Sequence, residues 1–412
     1  MIDFQIPDDV KELRQRVAAF IDDEILPRER EIGTRPFFDI VADVQSLARA
    51  RDLWCPFVPK EYGGMGLGHL ANAIVQVELA RAFSHLGAWA LNCMGPQDAT
   101  MFTLIEHGTE EQKQKYLVPL VDGKIRICFS MTERAAGADA TGMRTTAVLD
   151  GDHWVLNGEK WFASSASISQ VALVMARTDP DAPRHEQYST FLVDLPNPGY
   201  RIVRDIPVMG EHDQPRFGDE VTGGHAEVRV ENLVVPAGNL LGGRGKGFDM
   251  GQHRLGYGRL RHGMWSIAKA QAALDLATKR ATERETFGER VADRQGVQWM
   301  LADCAEKLYV TRLMVLHIAY CMENGTDIRQ INSIAKNYIA HALHDIVDTA
   351  LQIHGSLGYT HDTPLAHWYQ EVRSQRLVDG PDEVHRWMVG RNVVKAYERY
   401  GTTASAAGGD LF

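Results

Sequence analysis

The sequence predicts an α+β fold, mostly α, in which a compact β unit separates two helical stretches. Three observations predict it. Residues 1–126 read mostly as helices broken by Gly/Pro turns, residues 127–236 switch to a two-residue alternation, and residues 237–412 return to apolar residues every three or four positions. The expected domains are therefore an N-terminal α-helical domain, a β-domain and a C-terminal four-helix domain.

In the first stretch the clearest punctuation is VPKEYGGMGLGH at 58–69, too rich in glycine for a helix. It is expected to line an interface or cavity, with Glu61 and Tyr62 as turn residues. In the second, TTAVLDGDHWVLNGEKWF places Asp150-Gly151 and Asn157-Gly158 as turn pairs between alternating runs. YSTFLVDL, YRIVRDIPV and HAEVRVENLVV continue the pattern, and in the last Ala226, Val228 and Val230 share one face while Glu227, Arg229 and Glu231 take the other. An antiparallel unit is expected. In the third stretch four amphipathic helices succeed one another: 259–281; a stripe of Val297, Leu301, Cys304, Leu308 and Val315 ending near Asn324-Gly325; 331–351; and 382–398. The tail TTASAAGGDLF is expected to fray.

Composition excludes several function classes. With 44 Lys+Arg against 54 Asp+Glu the net charge is −10, so a nucleic-acid partner lacks its electrostatic footprint. No apolar run approaches bilayer length, and the start MIDFQIPDD is acidic where a signal or transit peptide is basic. Five scattered cysteines without CxxC suit a reducing compartment, and a cytoplasmic location is expected.

Common motifs leave the chemistry open. GGRGKGF at 242–248 has no preceding buried strand and no GK[ST] ending, so it reads as a loop before a helix. His341 and His344 are one turn apart, but HExxH and Glu-x-x-His are absent, and no metal site is expected among the 16 histidines. No GxSxG appears. RLVDGPDEVHR at 376–386 is double-edged. A proline near the first helical position and acids in the first turn suit a helix start, so Asp379 reads equally as a capping carboxylate or as an active-site base.

Five blocks, in order, carry a resemblance. CFSMTERAAGADAT (128–141), NGEKWFASSA (157–166), GRLRHGMWSIAKAQAALDLATKRATERETFG (258–288), LQIHGSLGYTHDTPLAHWYQEVR (351–373) and VDGPDEVHR (378–386) resemble segments of the acyl-CoA dehydrogenase flavoenzyme family. LNCMGPQDATM, TDPDAPRH, GGHAEV, GRLRH and DGPDEVH look most like its animal members ten and eleven and their bacterial relatives. The resemblance implies FAD as cofactor, an acyl-CoA substrate, an electron-transfer flavoprotein as electron acceptor, and a homodimer or homotetramer. It implies α,β-dehydrogenation with Asp379 as the α-proton base, twenty-seven residues beyond Gln352. The backbone N–H of Asp379 would help hold the thioester oxygen. The family's other base position falls near Gly258, which has no carboxylate.

For the cofactor the resemblance implies Phe129, Met131 and Thr132 at the flavin, Phe162 in place of a tryptophan over one face, and Ser164 beside it. Arg284, Thr286 and Phe287 form an Arg-x-x-Phe-Gly turn that reaches the FAD of a neighbouring subunit. Gln295 approaches the adenosine, while Gln352, Gly355 and Ser356 form a Gly-rich phosphate turn, with Pro381 and Glu383 near the cofactor. Ala138 replaces a serine near the phosphates. For substrate, Arg259, Arg184 and His185 are expected at CoA, with Val378 and Gly380 along the acyl group. An aspartate is one methylene shorter than the family glutamate, and nitroalkane oxidase, in the same superfamily, also uses one. Three alternatives therefore stand beside dehydrogenation: elimination on a 4-substituted (4-phosphooxy) acyl-CoA, a nitroalkane-oxidase-like oxidase, and a flavin-free scaffold.

Overall fold

A computed structural model describes residues 5–210 and 224–408. Its principal helices are α1 (Asp8–Phe20), α2 (Phe37–Ala50), α3 (His69–Leu79), α4 (Gly95–His107), α5 (Gly247–Glu283), α6 (Gln295–Glu323), α7 (Arg329–His354), α8 (Leu365–Val372) and α9 (Asp382–Tyr400). The strands of its main sheet are β1 (Ile127–Ser130), β2 (Thr146–Asp150), β3 (His153–Ser164), β4 (Val171–Arg177), β5 (Tyr188–Asp194), β6 (Tyr200–Asp205), β7 (His225–Pro236) and β8 (Leu240–Leu241). The chain folds into two compact units: residues 1–27, 68–87 and 258–412, and residues 28–67 and 88–257. Residues 1–126 thus divide between them.

The first unit is helical. Its core is a continuous apolar cluster of Leu260, Met264 and Ile267 from α5, Leu308 and Val315 from α6, Leu343 and Ile346 from α7, and Leu365 and Trp368 from α8. These positions recur at three- and four-residue intervals because only one stripe of each helix faces its neighbours. α6 ends at Asn324 with Gly325 at φ +68°, the left-handed stop that its Asn-Gly pair predicts. Tail residues Ala404–Ala407 differ from expectation. They form a short 3-10 turn that buries Ala406, whose carbonyl accepts from Gln330 Nε2 at 2.7 Å.

The second unit is built on the sheet, in the order β6-β7-β3-β2-β4-β5-β8, with β1 pairing β4. The expected antiparallel unit is in fact mixed: β1 runs parallel to β4 from Ile127↔Val171 to Ser130↔Val174, and β2 touches β4 in parallel at Thr146↔Arg177. Asp150-Gly151 makes the predicted hairpin turn between β2 and β3, but Asn157-Gly158 makes none. It lies inside β3 at a register shift, where a Cβ on Gly158 would sit 2.4 Å from Thr145 Oγ1. The glycine there allows a bulge and close backbone approach rather than a reversal. Ala226, Val228 and Val230 are buried as expected, and Glu227 on the opposite face is also buried because Arg134 and Arg204 hold it at 3.1 and 2.9 Å. Trp54, Leu104, Tyr116 and Leu120 cover Ile127, Leu173 and Leu192 of the sheet.

Candidate active site

Asp379 lies in the turn between Arg376 and α9, and it does not cap that helix. The N-cap is Pro381, in extended conformation (φ −67°, ψ 161°), and Asp382 is the first helical residue. Pro381 therefore stands one position earlier than the sequence suggests. Asp379 itself holds φ +51° and Gly380 φ +100°. A non-glycine residue in the left-handed region is tolerated best by Asp or Asn, and it persists only where surroundings enforce it.

Several side chains enforce it. Arg259 Nε donates to the Asp379 carbonyl at 2.9 Å, and His385 Nε2 lies 3.2 Å from the same oxygen. Lys336 Nζ donates to the Gly380 carbonyl at 2.7 Å. A Cβ at Gly380 would meet His385 Nε2 at 2.7 Å, so this position has no room for a side chain. Leu377 and Val378 N–H groups both donate to Ser374 O, whereas the Asp379 N–H donates to no backbone carbonyl among the described residues.

The carboxylate rests on α5. A Cβ on Gly258 would lie 2.8 Å from Asp379 Oδ2, so the bare helix surface at that turn is what makes space for the acid. One turn on, His262 Nε2 approaches Oδ2 at 3.4 Å, with the two side chains 21% and 22% exposed. Burial alone would raise the Asp379 carboxyl. The hydrogen bond and charge of His262, joined by the charges of Arg259 and Arg261, outweigh it and hold the group well below the ordinary aspartate range. Burial pushes His385 down to about 4, so its Nε2 faces the carbonyl as a neutral N–H. Nearby, Asp382 accepts from Arg376 Nε at 2.7 Å and meets His341 Nε2 at 2.9 Å, which gives His341 a structural partner.

Beyond His262 lies a pocket of mixed character, lined by Phe83, Trp265 and Leu343 but also by His85, Lys269 and Glu371. Lys269 and Glu371 form a tight ion pair, and His367 stands 3.8 Å from the same carboxylate. His85 stacks on Trp265 with ring centroids 4.7 Å apart, and burial pushes it down to about 4.

The other candidates in this unit are open to solvent. Arg284, Gln295, Gln352, Gly355, Ser356, Val378 and Glu383 are exposed. Thr286 sits in a two-residue hairpin pairing Glu285–Thr286 with Glu289–Arg290, its carbonyl held by Arg294 at 2.6 Å. Phe287 at the tip is 97% exposed. Gly355 ends α7 at φ +63° with nothing within 4 Å of a built Cβ, which leaves that turn's backbone approachable.

In the sheet unit a second group gathers. Trp161 N–H donates to Thr132 O at 2.8 Å, tying the segment after β1 to β3. Phe162 is 42% exposed with φ +58°, and Ser164 Oγ lies 2.8 Å from His225 Nδ1. Arg254 lies over the Phe129 ring at 4.1 Å. Beneath them Lys160, fully buried, donates to Met131 O at 3.0 Å and to Glu133 Oε1 at 2.9 Å, while Arg144 and Thr145 N–H groups complete the Glu133 carboxylate. That buried pair stiffens the segment and has no signature in the sequence beyond two charges in alternating runs. Arg184 and His185 stand apart on an exposed loop, Arg184 paired with Asp139 at 2.9 Å and His185 stacked on Phe248 at 4.7 Å.

Comparison with known proteins fits this arrangement. The acyl-CoA dehydrogenase N-terminal, middle and C-terminal domains match residues 7–124, 128–219 and 245–394. A probable acyl-CoA dehydrogenase, FadE2 of Mycobacterium tuberculosis, is 37% identical over 85% of this chain and 85% of its own. Acyl-CoA dehydrogenase family member 11 of Gallus gallus is 34% identical over 92% of this chain but only 50% of its own, so the chain spans about half the length of that relative. A solved structure from Mycobacterium abscessus, provisionally described as an acyl-CoA dehydrogenase, superposes with TM-score 0.87 at 34% identity, covering 96% of this chain and 100% of the other. With all three domains matched in order along a chain whose aspartate turn is built as described, the protein belongs to the acyl-CoA dehydrogenase family, flavin-dependent oxidoreductases acting on CH–CH groups.

Proposed function

We propose that this protein is an FAD-dependent acyl-CoA dehydrogenase in which Asp379 removes the α-proton of an acyl-CoA thioester. The observation that carries the reading is the Asp379 turn: a largely buried, ionised carboxylate fixed in a left-handed backbone by Arg259, His385 and Lys336. FAD, when bound, supplies the acceptor for the β-hydride. Phe162, Ser164 and Thr132 are proposed to meet the flavin, and Arg284, Gln352 and Ser356 the FAD of a neighbouring subunit; the half-exposed Phe162 ring and the open Gly355 turn each fit such a group. The Asp379 N–H, left without a backbone acceptor, suits the thioester oxygen, where negative charge grows as the α-proton leaves. Entry of an acyl group excludes water and strips the carboxylate of its remaining solvation, which raises its pKa and strengthens it as a base. Electrons would pass to an electron-transfer flavoprotein, and the working form is a homodimer or homotetramer in the cytoplasm.

One observation favours a second reading. The pocket beside the base carries His85, Lys269 and Glu371 rather than an all-apolar lining. An ion pair and an imidazole in the lining offer hydrogen bonds that a plain alkyl chain leaves unused, so a 4-substituted acyl-CoA, dehydrogenated or undergoing elimination, matches that lining better.

One experiment tests both. Holoenzyme and Asp379→Asn are mixed anaerobically with butyryl-, octanoyl- and 4-hydroxy- or 4-phosphooxy-pentanoyl-CoA. Lasting flavin bleaching by the wild type, and loss of roughly 10²–10⁴ in rate in the variant, are expected. Product without bleaching would select elimination. Wild-type reduction rates in Asp379→Asn would remove the base assignment.

A further inference from the structure

We propose that His262 is a positioning residue for the base: it fixes one oxygen of the Asp379 carboxylate against α5 and leaves the other to meet the α-proton. The inference rests on Asp379 being that base.

Three observations support it. First, the Arg259 and His385 contacts seize the Asp379 carbonyl, and His262 Nε2, at 3.4 Å from Oδ2, is the imidazole facing the carboxylate itself. Second, Gly258 and His262 are successive turns of one helix face: the first leaves room for Oδ2 and the second supplies the donor, so α5 presents a seat for a short acid. Third, His262 Nδ1 is buried without a hydrogen-bond partner among the described residues. With Nδ1 left bare, Nε2 is the ring nitrogen that meets the carboxylate.

The groups facing this imidazole come from every element packed on it. Asp379 faces it from the turn, Arg261 and Lys269 from its own helix, His85 from the segment after α3, and Glu371 from α8. Lys269 and Glu371 neutralise each other, and Arg259 and Lys336 act on Asp379 rather than through His262. Removing the imidazole therefore leaves burial, which raises the carboxyl, opposed only by the more distant cations. The acid limb of activity must then move to higher pH.

The test uses full-length holoenzyme, anaerobic stopped-flow and octanoyl-CoA (or the panel compound that gives the fastest wild-type turnover), across pH, in His262→Leu and His262→Gln. His262→Leu is expected to move the acid limb upward and lower kcat roughly tenfold or more, with a smaller change in KM. His262→Gln, which keeps a donor, is expected to recover most of kcat. A wild-type acid limb and kcat in His262→Leu overturn the proposal, as does a His262→Gln no better than His262→Leu while both melt at the wild-type temperature. Should His262→Leu fail to fold, His262→Ala takes its place with the same expectations, and a wild-type acid limb and kcat there overturn the proposal. Asp379→Asn runs alongside: full activity there removes the base reading itself, whereas an inactive Asp379→Asn beside a wild-type His262→Leu removes only the positioning role.

Discussion

Gly258 owes its lack of a side chain to a residue 121 positions away in the chain. A Cβ there would press to 2.8 Å from Asp379 Oδ2, closer than real contacts allow. Gly258→Ala is a clean probe because its two effects oppose. Alanine inside a helix favours folding by about 1 kcal/mol over glycine, while the displaced carboxylate loses its line to the substrate. The expected outcome is a melting temperature at or near wild type with flavin reduction slowed by ~10²-fold, the order expected for an ångström of misplacement. Differential scanning calorimetry and stopped-flow reduction check the two halves; full activity would show that the carboxylate does not need its seat. At this scale the sequence was partly legible. DGPDEV marks Asp379, and GRLRH carries Gly258, Arg259 and His262 at one-turn spacing, but a helix face is known only as a face until its occupant is placed. That Arg259 holds the Asp379 carbonyl depends on the Asp379 backbone turning left-handed, and neither periodicity nor composition encodes that.

At the scale of elements, the turn from Val378 to Pro381 is pinned by three helices, through Arg259 of α5, Lys336 of α7 and His385 of α9. Lys336 makes this pinning sensitive to pH. Burial pulls its ammonium down to about 8, against the raising pull of Asp382 and Asp379. The folded protein thus releases this proton at lower pH than the unfolded chain does. Between about pH 8 and the ordinary lysine value the unfolded chain binds more protons, and stability rises with pH. Below that window the penalty of charging Lys336 is fully present. The unfolding free energy of wild type is therefore expected to gain about 3 kcal/mol on that of Lys336→Met across the window, by urea titration at a series of pH values. A difference flat in pH would mean that the ammonium is as well solvated as a surface lysine. Of the helices involved, α5 begins at Gly247, well before the expected residue 259, whereas α7 and α9 were legible as stripes and end within a few residues of their patterns. The parallel β1–β4 pair was not: four residues, ICFS, carry too little alternation to choose a partner, and a parallel neighbour is set by the packing of everything between.

At the scale of the whole molecule, the hairpin after α5 is the element that its own unit leaves unexplained. Backbone pairing between Thr286 and Glu289, the Arg294 contact to Thr286 O and the Val291 N–H to Arg284 O at 2.8 Å make it rigid. Its tip nonetheless presents Phe287 almost wholly to water at φ +52°. Trp299 and Tyr309 of α6 and Trp387 and Tyr397 of α9 are each more than half exposed as well. Burying one such ring is worth roughly 1.5–3 kcal/mol, so a stiff hairpin ending in an exposed phenylalanine is built to be covered, and a second copy of this chain with its FAD is the occupant proposed. If so, the turn serves cofactor retention more than the stability of its own subunit. Phe287→Ala and Arg284→Ala are expected to leave the apoprotein melting temperature within a degree or two of wild type, because both side chains are exposed and Phe287 meets only the Arg294 guanidinium, 5.7 Å from its ring centroid, among the described residues. Both are expected to lose FAD on desalting several-fold faster, Arg284→Ala more steeply as ionic strength rises, since a screened charge pair weakens with salt and an apolar contact does not. Sedimentation velocity supplies the check that precedes both: the wild-type holoenzyme must sediment as a dimer or larger. A monomer that keeps its flavin would leave the exposed hairpin without this role, however well the two variants behaved.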